Sequence, residues 1–421
     1  MRSTVVPSGL IAALVVLVTT AARAQQDSVR LNRLETQLEA MTRELESLRL
    51  GRELVAEADT AESGFGPAAS KVYRVRQGVS IGGYGEVLYE NFAGTQEDDA
   101  PAGRADRIDA LRAIVYVGYK FNDKFLFNSE IEFEHGSTED GGSVSLEFGY
   151  LDYRVSPRFG VRAGLLLAPM GFLNELHEPP TFLGARRPET ERQVIPSTWR
   201  ENGIGVFGEV GSLTYRAYLI NGFMGGGFTA GGLRDGRQNG AEALAKHFGA
   251  VGRLEYAIRP GLTVAASAYL GNSGQSDSIG ARTLIWEGHA EYRVGGLELR
   301  GLVSRASVDD VTELNAEAGL TGSGSIGERL VGWYAQAGYD LLRATASTHQ
   351  LIPYVRYERL NTQNQVPAGF SSDPMTDRTI TTLGIAWKPL PNIALKADYQ
   401  IQTNEARTGV NQLNAALGYL F

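Results

Sequence analysis

The sequence predicts an all-β fold, a transmembrane antiparallel β-barrel of about 16 strands, preceded by a short N-terminal coiled-coil helix. Three observations predict it. From Gly78 to Phe421 the chain is a succession of two-faced runs of strand length. Short turns between these runs alternate with long polar loops. The last run stops on an aromatic residue at the chain end, with every second side chain apolar.

The two-faced character is plainest over residues 107–136, two strands joined by the polar turn Asn122-Asp123-Lys124. In the second, Phe125, Phe127, Ile131 and Phe133 point one way, and Asn128, Glu130, Glu132 and Glu134 the other. Successive side chains of a strand face opposite sides, so one face is oily and the other carries carboxylates. A membrane barrel turns the oily face to lipid and the polar face to a wet lumen. One hairpin fits a soluble sandwich equally well, but sixteen such strands in series do not.

Residues 1–24 read as a secretory signal: Arg2, the apolar run Leu10–Val18, and the small-x-small site Ala22-Arg23-Ala24. Nine apolar residues are well short of the roughly 20 that a spanning helix needs. Residues 25–57 follow as a periplasmic helix. Leu31, Leu34, Leu38, Met41, Leu45 and Leu48 alternate spacings of three and four, a heptad seam with charged flanks that implies a homo-oligomer. Residues 58–77 read as a linker.

Strands are expected near 79–91, 107–121, 124–135, 143–155, 159–169, 202–210, 212–222 and 246–258. Eight more fall near 261–271, 281–294, 296–307, 328–342, 349–361, 376–388, 391–404 and 409–421. The connections FNDK, SPRF, GS, RPG, GG and PLPN are short, and those at 92–106, 170–201, 223–245, 308–327 and 362–375 are long. Segregation of loop length to one end is the asymmetry of outer-membrane barrels, and an even strand number puts both termini on the periplasmic side. Residues 78–421 thus read as the barrel domain. Tyr419 and Phe421 on the last strand are similar to the assembly signal of bacterial outer-membrane barrels, which implies the barrel assembly machinery and outer-membrane lipids as partners.

Composition narrows the function. Cysteine is absent, which excludes zinc–thiolate sites, and five scattered histidines form no metal-binding pair. Without residues 1–24 the formal charge is −10, a balance that disfavours nucleic acid as a partner. No nucleophile elbow or metal-ligand motif is present, so neither an enzyme nor a cofactor is expected.

The chemistry concentrates in the longest loop, 170–201, expected to fold inward as a constriction. Arg186, Arg187, Arg192 and Arg200 stand there among Glu175, Glu178, Glu189 and Glu191. A guanidinium offers a planar fork of donors to phosphate or carboxylate oxygens. These arginines either contact passing anions or pair with the loop's own glutamates and hold it folded. Pro179, Pro180, Pro188 and Pro196 stiffen the loop. Strand parity adds a basic track on the lumen face, Arg112, Arg154, Arg162, Arg216, Arg253, Arg293, Arg300, Arg356 and Lys396. The same face carries carboxylates, including Glu130, Glu132 and Glu134.

The 170–201 stretch, GYGE at 83–86, VGYKFNDKF at 117–125 and NGIGVFGE at 202–209 resemble the phosphate-selective porin O and P family. The resemblance covers most of residues 78–421. It implies a homotrimeric 16-stranded barrel whose third loop narrows the lumen, and arginines that pass anions such as phosphate. One departure is clear: the chain has six lysines and none lies in the third loop, where the family uses them. The expected function is passive diffusion of small hydrophilic solutes, anions foremost. The alternatives are a general, sugar- or cation-permeable porin, and a structural tether joining the envelope through the coiled coil.

Overall fold

A computed structural model describes residues 36–39, 41, 61–137, 141–276 and 278–421. Residues 36–39 and 41 are helical and belong to a unit separate from the barrel, with Leu38 and Met41 exposed. The signal segment and Leu31, Leu34, Leu45 and Leu48 of the seam lie outside the described residues.

Sixteen antiparallel strands close on themselves. They are β1 Gly78–Phe92, β2 Arg107–Lys120, β3 Phe125–Glu134, β4 Ser143–Ser156, β5 Phe159–Leu167, β6 Arg200–Val210, β7 Leu213–Asn221 and β8 Phe248–Arg259. The second half comprises β9 Leu262–Asn272, β10 Arg282–Val294, β11 Leu297–Val308, β12 Arg329–Tyr339, β13 Gln350–Gln365, β14 Asp377–Leu390, β15 Ile393–Asn404 and β16 Gln412–Leu420. Each pairs with its chain neighbours, and β1 pairs with β16 from Tyr84↔Leu420 to Phe92↔Gln412. Closure leaves no open sheet edge, the condition for strands to cross lipid.

Local chemistry sets the turns. Asn122 Oδ1 accepts from the Lys124 and Phe125 amides and folds the β2–β3 turn. Gly295 and Gly296, both at positive φ, make the two-residue β10–β11 turn that suits the right-handed strand twist. The long connections all leave from the opposite end.

The alternation predicted for the walls is present. Leu284, Trp286, Val294, Val303, Trp333, Leu383 and Leu417 are exposed on the outside, whereas Glu287, His289, Tyr334, Gln336 and Asn414 are buried within. Aromatic rings pair on the outer face, Phe125 with Tyr153 at the short-turn end and Trp333 with Tyr357 nearer mid-strand. At the seam, Phe421 exchanges two backbone hydrogen bonds with Gly83. A Cβ on Gly83 would lie 2.7 Å from the Phe421 ring, and one on Gly85 2.4 Å from the Tyr419 ring. The two glycines of GYGE are therefore the flat seat for the C-terminal aromatics.

The barrel is filled. Loop 3 (168–199) crosses its interior, loop 4 (222–247) packs on loop 3, and residues 61–77 occupy the short-turn end. The reading of this last stretch as a linker does not survive. Phe65, Ala68, Ala69, Val72 and Tyr73 are buried, and Lys71–Arg74 form a short helix, α1. Their spacing of three, one, three and one is a helical apolar stripe, which finds its partner inside the barrel rather than in a linker.

Candidate functional site

Loop 3 is held by polar contacts on nearly every side. Arg253 donates to Gly171 O, Arg300 to Thr181 O, Lys388 to Pro180 O, and Lys396 to Pro179 O and Gly184 O. In the reverse sense, Glu287, Asp398 and Glu358 accept from the amides of Gly171, Ala185 and Thr190. Tyr334 donates to Glu191, which also accepts from Leu173 N. The backbone of an irregular loop at membrane depth must be satisfied, and the charged wall satisfies it. Inward glycines give the loop room: a Cβ on Gly418 would meet Pro179 at 2.4 Å, and one on Gly338 would meet Leu183 at 2.8 Å.

Loop 4 seals loop 3 from the long-loop end. Phe223 stacks on Trp199 at 4.5 Å and meets Phe228 and Tyr269 edge-on. Arg237 donates to Thr198 O at 2.6 Å.

Above this joint, toward the long loops, lies a polar cavity of about 270 Å3. Its wall brings together Arg112, Arg186, Arg187 and Arg192 with two arginines that parity and loop composition did not single out, Arg107 and Arg234. Three carboxylates there have arginine partners. Glu86 faces Arg112 at 3.3 Å, Glu90 binds Arg107 and Arg186, and Glu189 in helix α2 (Glu189–Gln193) faces Arg192 at 3.0 Å, Arg186 and Arg378. Against burial, which alone would raise it, Arg192, Arg378 and Arg186 hold the Glu189 carboxyl down at about 2.

Among the described residues two of the cavity arginines lack such a partner. Arg187 donates to His177 O, at 3.3 Å, and to no carboxylate among the described residues. Arg234 Nη1 is buried with no hydrogen-bond partner among the described residues. Burial, then the neighbouring Arg237, Arg192 and Arg187, push the Arg234 guanidinium down to about 9; it stays charged, crowded by like charge. Burial and then Arg112 lower Arg187 as well. Burial and Arg187 push His177 down to about 4, so its ring is neutral at neutral pH. His177 Nδ1 donates to Asn174 O, and its Nε2 faces Glu130 Oε1 at 3.1 Å.

The remaining sequence-selected residues are dispersed. Arg200 pairs with Glu147 at 2.6 Å outside the cavity. Of the wall track only Arg112 lines the cavity. Arg162 binds Asp152, Arg154 approaches Glu62, Arg293 lies between Glu291 and Glu298, and Arg356 approaches Glu358. Arg300 binds Glu291, and Arg216 and Arg253 share Glu175 and Glu255. Glu130 and Glu132 are buried, and Glu134 lines the cavity. Arg234 left one signal in the sequence: its loop is long and carries Phe223, Phe228 and Leu233, side chains that seek a core.

No family model matches the chain. A protein of Aquifex aeolicus strain VF5, described as uncharacterized, is 38% identical over 380 residues, covering 87% of this chain and 86% of its own. Among solved structures, Salmonella typhi OmpF in complex with daunomycin matches with a TM-score of 0.55 at 12% identity, over 82% of this chain and 98% of that one. An in-vitro folded trimer form of the Vibrio cholerae outer membrane protein OmpT gives 0.50 at 13% identity, over 82% and 99%. An anion-selective porin from Comamonas acidovorans gives 0.50 at 11% identity, over 82% and 99%. At such identities the likeness is one of fold. The chain therefore belongs to one family with the Aquifex aeolicus protein, in a barrel fold shared with outer-membrane porins.

Proposed function

We propose that this protein is an outer-membrane channel for passive diffusion of small hydrophilic solutes, with small anions such as phosphate as favoured cargo. The observation that carries the anion reading is the imbalance in the upper cavity. Six arginines face five carboxylates there: Glu86, Glu90 and Glu189 are each matched by arginine, Asp109 by His135 and Glu134 by the Ser143 hydroxyl, whereas among the described residues Arg187 and Arg234 have no carboxylate of their own. A fixed cationic field at a narrow, partly dehydrated passage raises the local concentration of anions, and guanidinium forks replace part of their hydration. The short-turn end would face the periplasm and the cavity the outside.

The test is the reversal potential of the purified protein in a planar bilayer under a KCl gradient, followed by added phosphate. Anion preference with phosphate reducing the chloride current is the expected result. Cation preference without block would make Glu86, Glu90 and Glu189 the dominant charges and leave a general porin. Assembly as a homotrimer belongs to the same proposal, on the strength of the heptad seam and of the trimeric Vibrio cholerae barrel.

A further inference from the structure

Residues 61–77 are docked inside the short-turn half of the barrel without joining its sheet. Their regular structure is α1 and one isolated bridge, Glu62 with Phe65. Phe65 stacks on Tyr150, packs near Phe148, and lies under the Arg162 guanidinium at 4.7 Å. Tyr73 OH meets Tyr150 OH at 2.8 Å and Asp152 at 2.9 Å, and Asn128 donates to Ala69 O. Recesses receive the segment: a Cβ on Gly118 would strike Val72 at 2.6 Å, and one on Gly82 would lie 2.9 Å from Ala68 O. At its inner end the segment meets loop 3. The Glu178 carboxylate, 1% exposed, accepts from Ala68 N and Ala69 N. Gly66 lies so close to that carboxylate that a Cβ there would collide with it at 2.5 Å.

The wall beneath the segment packs Tyr116, Phe148 and Tyr150 against it, but it is not wholly apolar. It presents Asn128, Asp152, Arg154 and Arg162, side chains suited to a wet lumen. Its central charges also stay paired without the segment, since Arg162 grips Asp152 through two bonds of 2.7 and 2.9 Å and donates to Tyr218. Arg154 exchanges Glu62, Ser63 and the Tyr73 ring for water when the segment leaves, so the polar part of the wall can stand covered or bare.

We propose that residues 61–77 are a displaceable plug, seated on the polar wall of β2–β5 and latched to loop 3 through Glu178, whose departure opens the short-turn exit of the lumen. This rests on the channel reading and adds its gate. Among the described residues the plug joins the barrel strands by its chain at the Gln77–Gly78 junction, so it can swing out without unpairing a strand.

The test uses full-length protein in planar bilayers. The chain has no cysteine, so Val72→Cys with Gly118→Cys gives a single cross-link between plug and wall; Val72 Cβ would stand 2.7 Å from a Cβ at 118, within reach of a disulfide after a small shift. A second variant replaces residues 65–73 by Gly/Ser of equal length. The expected results are a several-fold higher mean conductance in the replacement, loss of opening events in the oxidised pair, and their return on reduction. Equal conductance in wild type, replacement, oxidised and reduced protein would overturn the plug while leaving the channel intact. Absence of conductance in every variant, with barrels folded by heat-modifiable mobility, would instead overturn the channel reading and the plug with it.

Discussion

Arg216 on β7 and Arg253 on β8 stand directly opposite each other in the ladder, two like charges that would repel were Glu175 of loop 3 not lodged between them at 3.4 and 3.7 Å. Directly opposed like charges destabilise a strand pair, and all three side chains are buried. Loop 3 is thus a counter-ion for the barrel as well as an obstruction in it. Glu175→Ala should cost about 3–5 kcal/mol, the usual penalty for stripping one partner from a buried ion pair. Calorimetry of the detergent-solubilised barrel should register the loss, and single-channel records should become noisier as the loop loosens. Unchanged melting and unchanged noise would mean that Glu255 alone balances the two arginines.

A second prediction concerns the seam. Gly83→Val would place side-chain atoms where Ile114 O and the Phe421 ring now lie, 2.4 and 2.7 Å from the new Cβ. Overpacking of this kind costs about 1–3 kcal/mol, here at the contact that closes the barrel. The variant should show a lowered temperature for the heat-modifiable gel shift and less folded barrel in the membrane fraction. Gly94→Val, at a position with open space around it, is the control that should behave as wild type.

What the sequence disclosed, and what it hid, follow one physical line. Period-two alternation reports which solvent each face meets, so the outward Trp286 and inward Glu287 could be read directly, as could the order of sixteen strands. Parity also put Lys396 and Arg356 on the lumen side. It could not say what reaches them, and both are occupied by carbonyls of loop 3. The path of a loop is fixed by contacts far apart in sequence, such as Ala185 N with Asp398, which leave no local period. Residues 61–77 are the instructive case. The stripe of Phe65, Ala68, Ala69, Val72 and Tyr73 was there to be found, but Gly64, Gly66 and Pro67 gave the stretch the composition of a linker. Those glycines serve close approach: a Cβ on Gly64 would lie 2.2 Å from Arg216.

The cavity arginines predict a graded loss of selectivity. Replacing Arg187 and Arg234 together by Ala removes the two guanidiniums without carboxylate partners and leaves the Glu86, Glu90 and Glu189 pairs standing. The reversal potential under a KCl gradient should move toward, or past, the cation side. Arg192→Ala should move it less, because that side chain is already bound to Glu189 and half exposed. An unchanged reversal potential in the double variant would place the selectivity element elsewhere in the lumen.

The last prediction turns on Glu178. Burial raises its carboxyl to about 7, against the pull of the Ala69 and Ala68 amides, and with Glu130 raising it further. Lys71 on the plug and Tyr116 on β2 are the other titratable groups facing it. Neutral His177, pushed down to about 4, does not titrate near neutrality. With the plug out, water reaches the carboxyl and it returns toward its ordinary value of 4.5. Between those values the docked state holds a proton that the undocked state releases. Docking is therefore favoured most below pH 4.5, and the advantage is lost as pH rises through about 7. Mean conductance should accordingly rise from pH 5 to pH 8, and Glu178→Gln, which keeps an acceptor but does not ionise, should flatten the profile near the low-pH level. A wild-type profile without slope, or the same slope in Glu178→Gln, would remove Glu178 as the latch whatever the plug itself does.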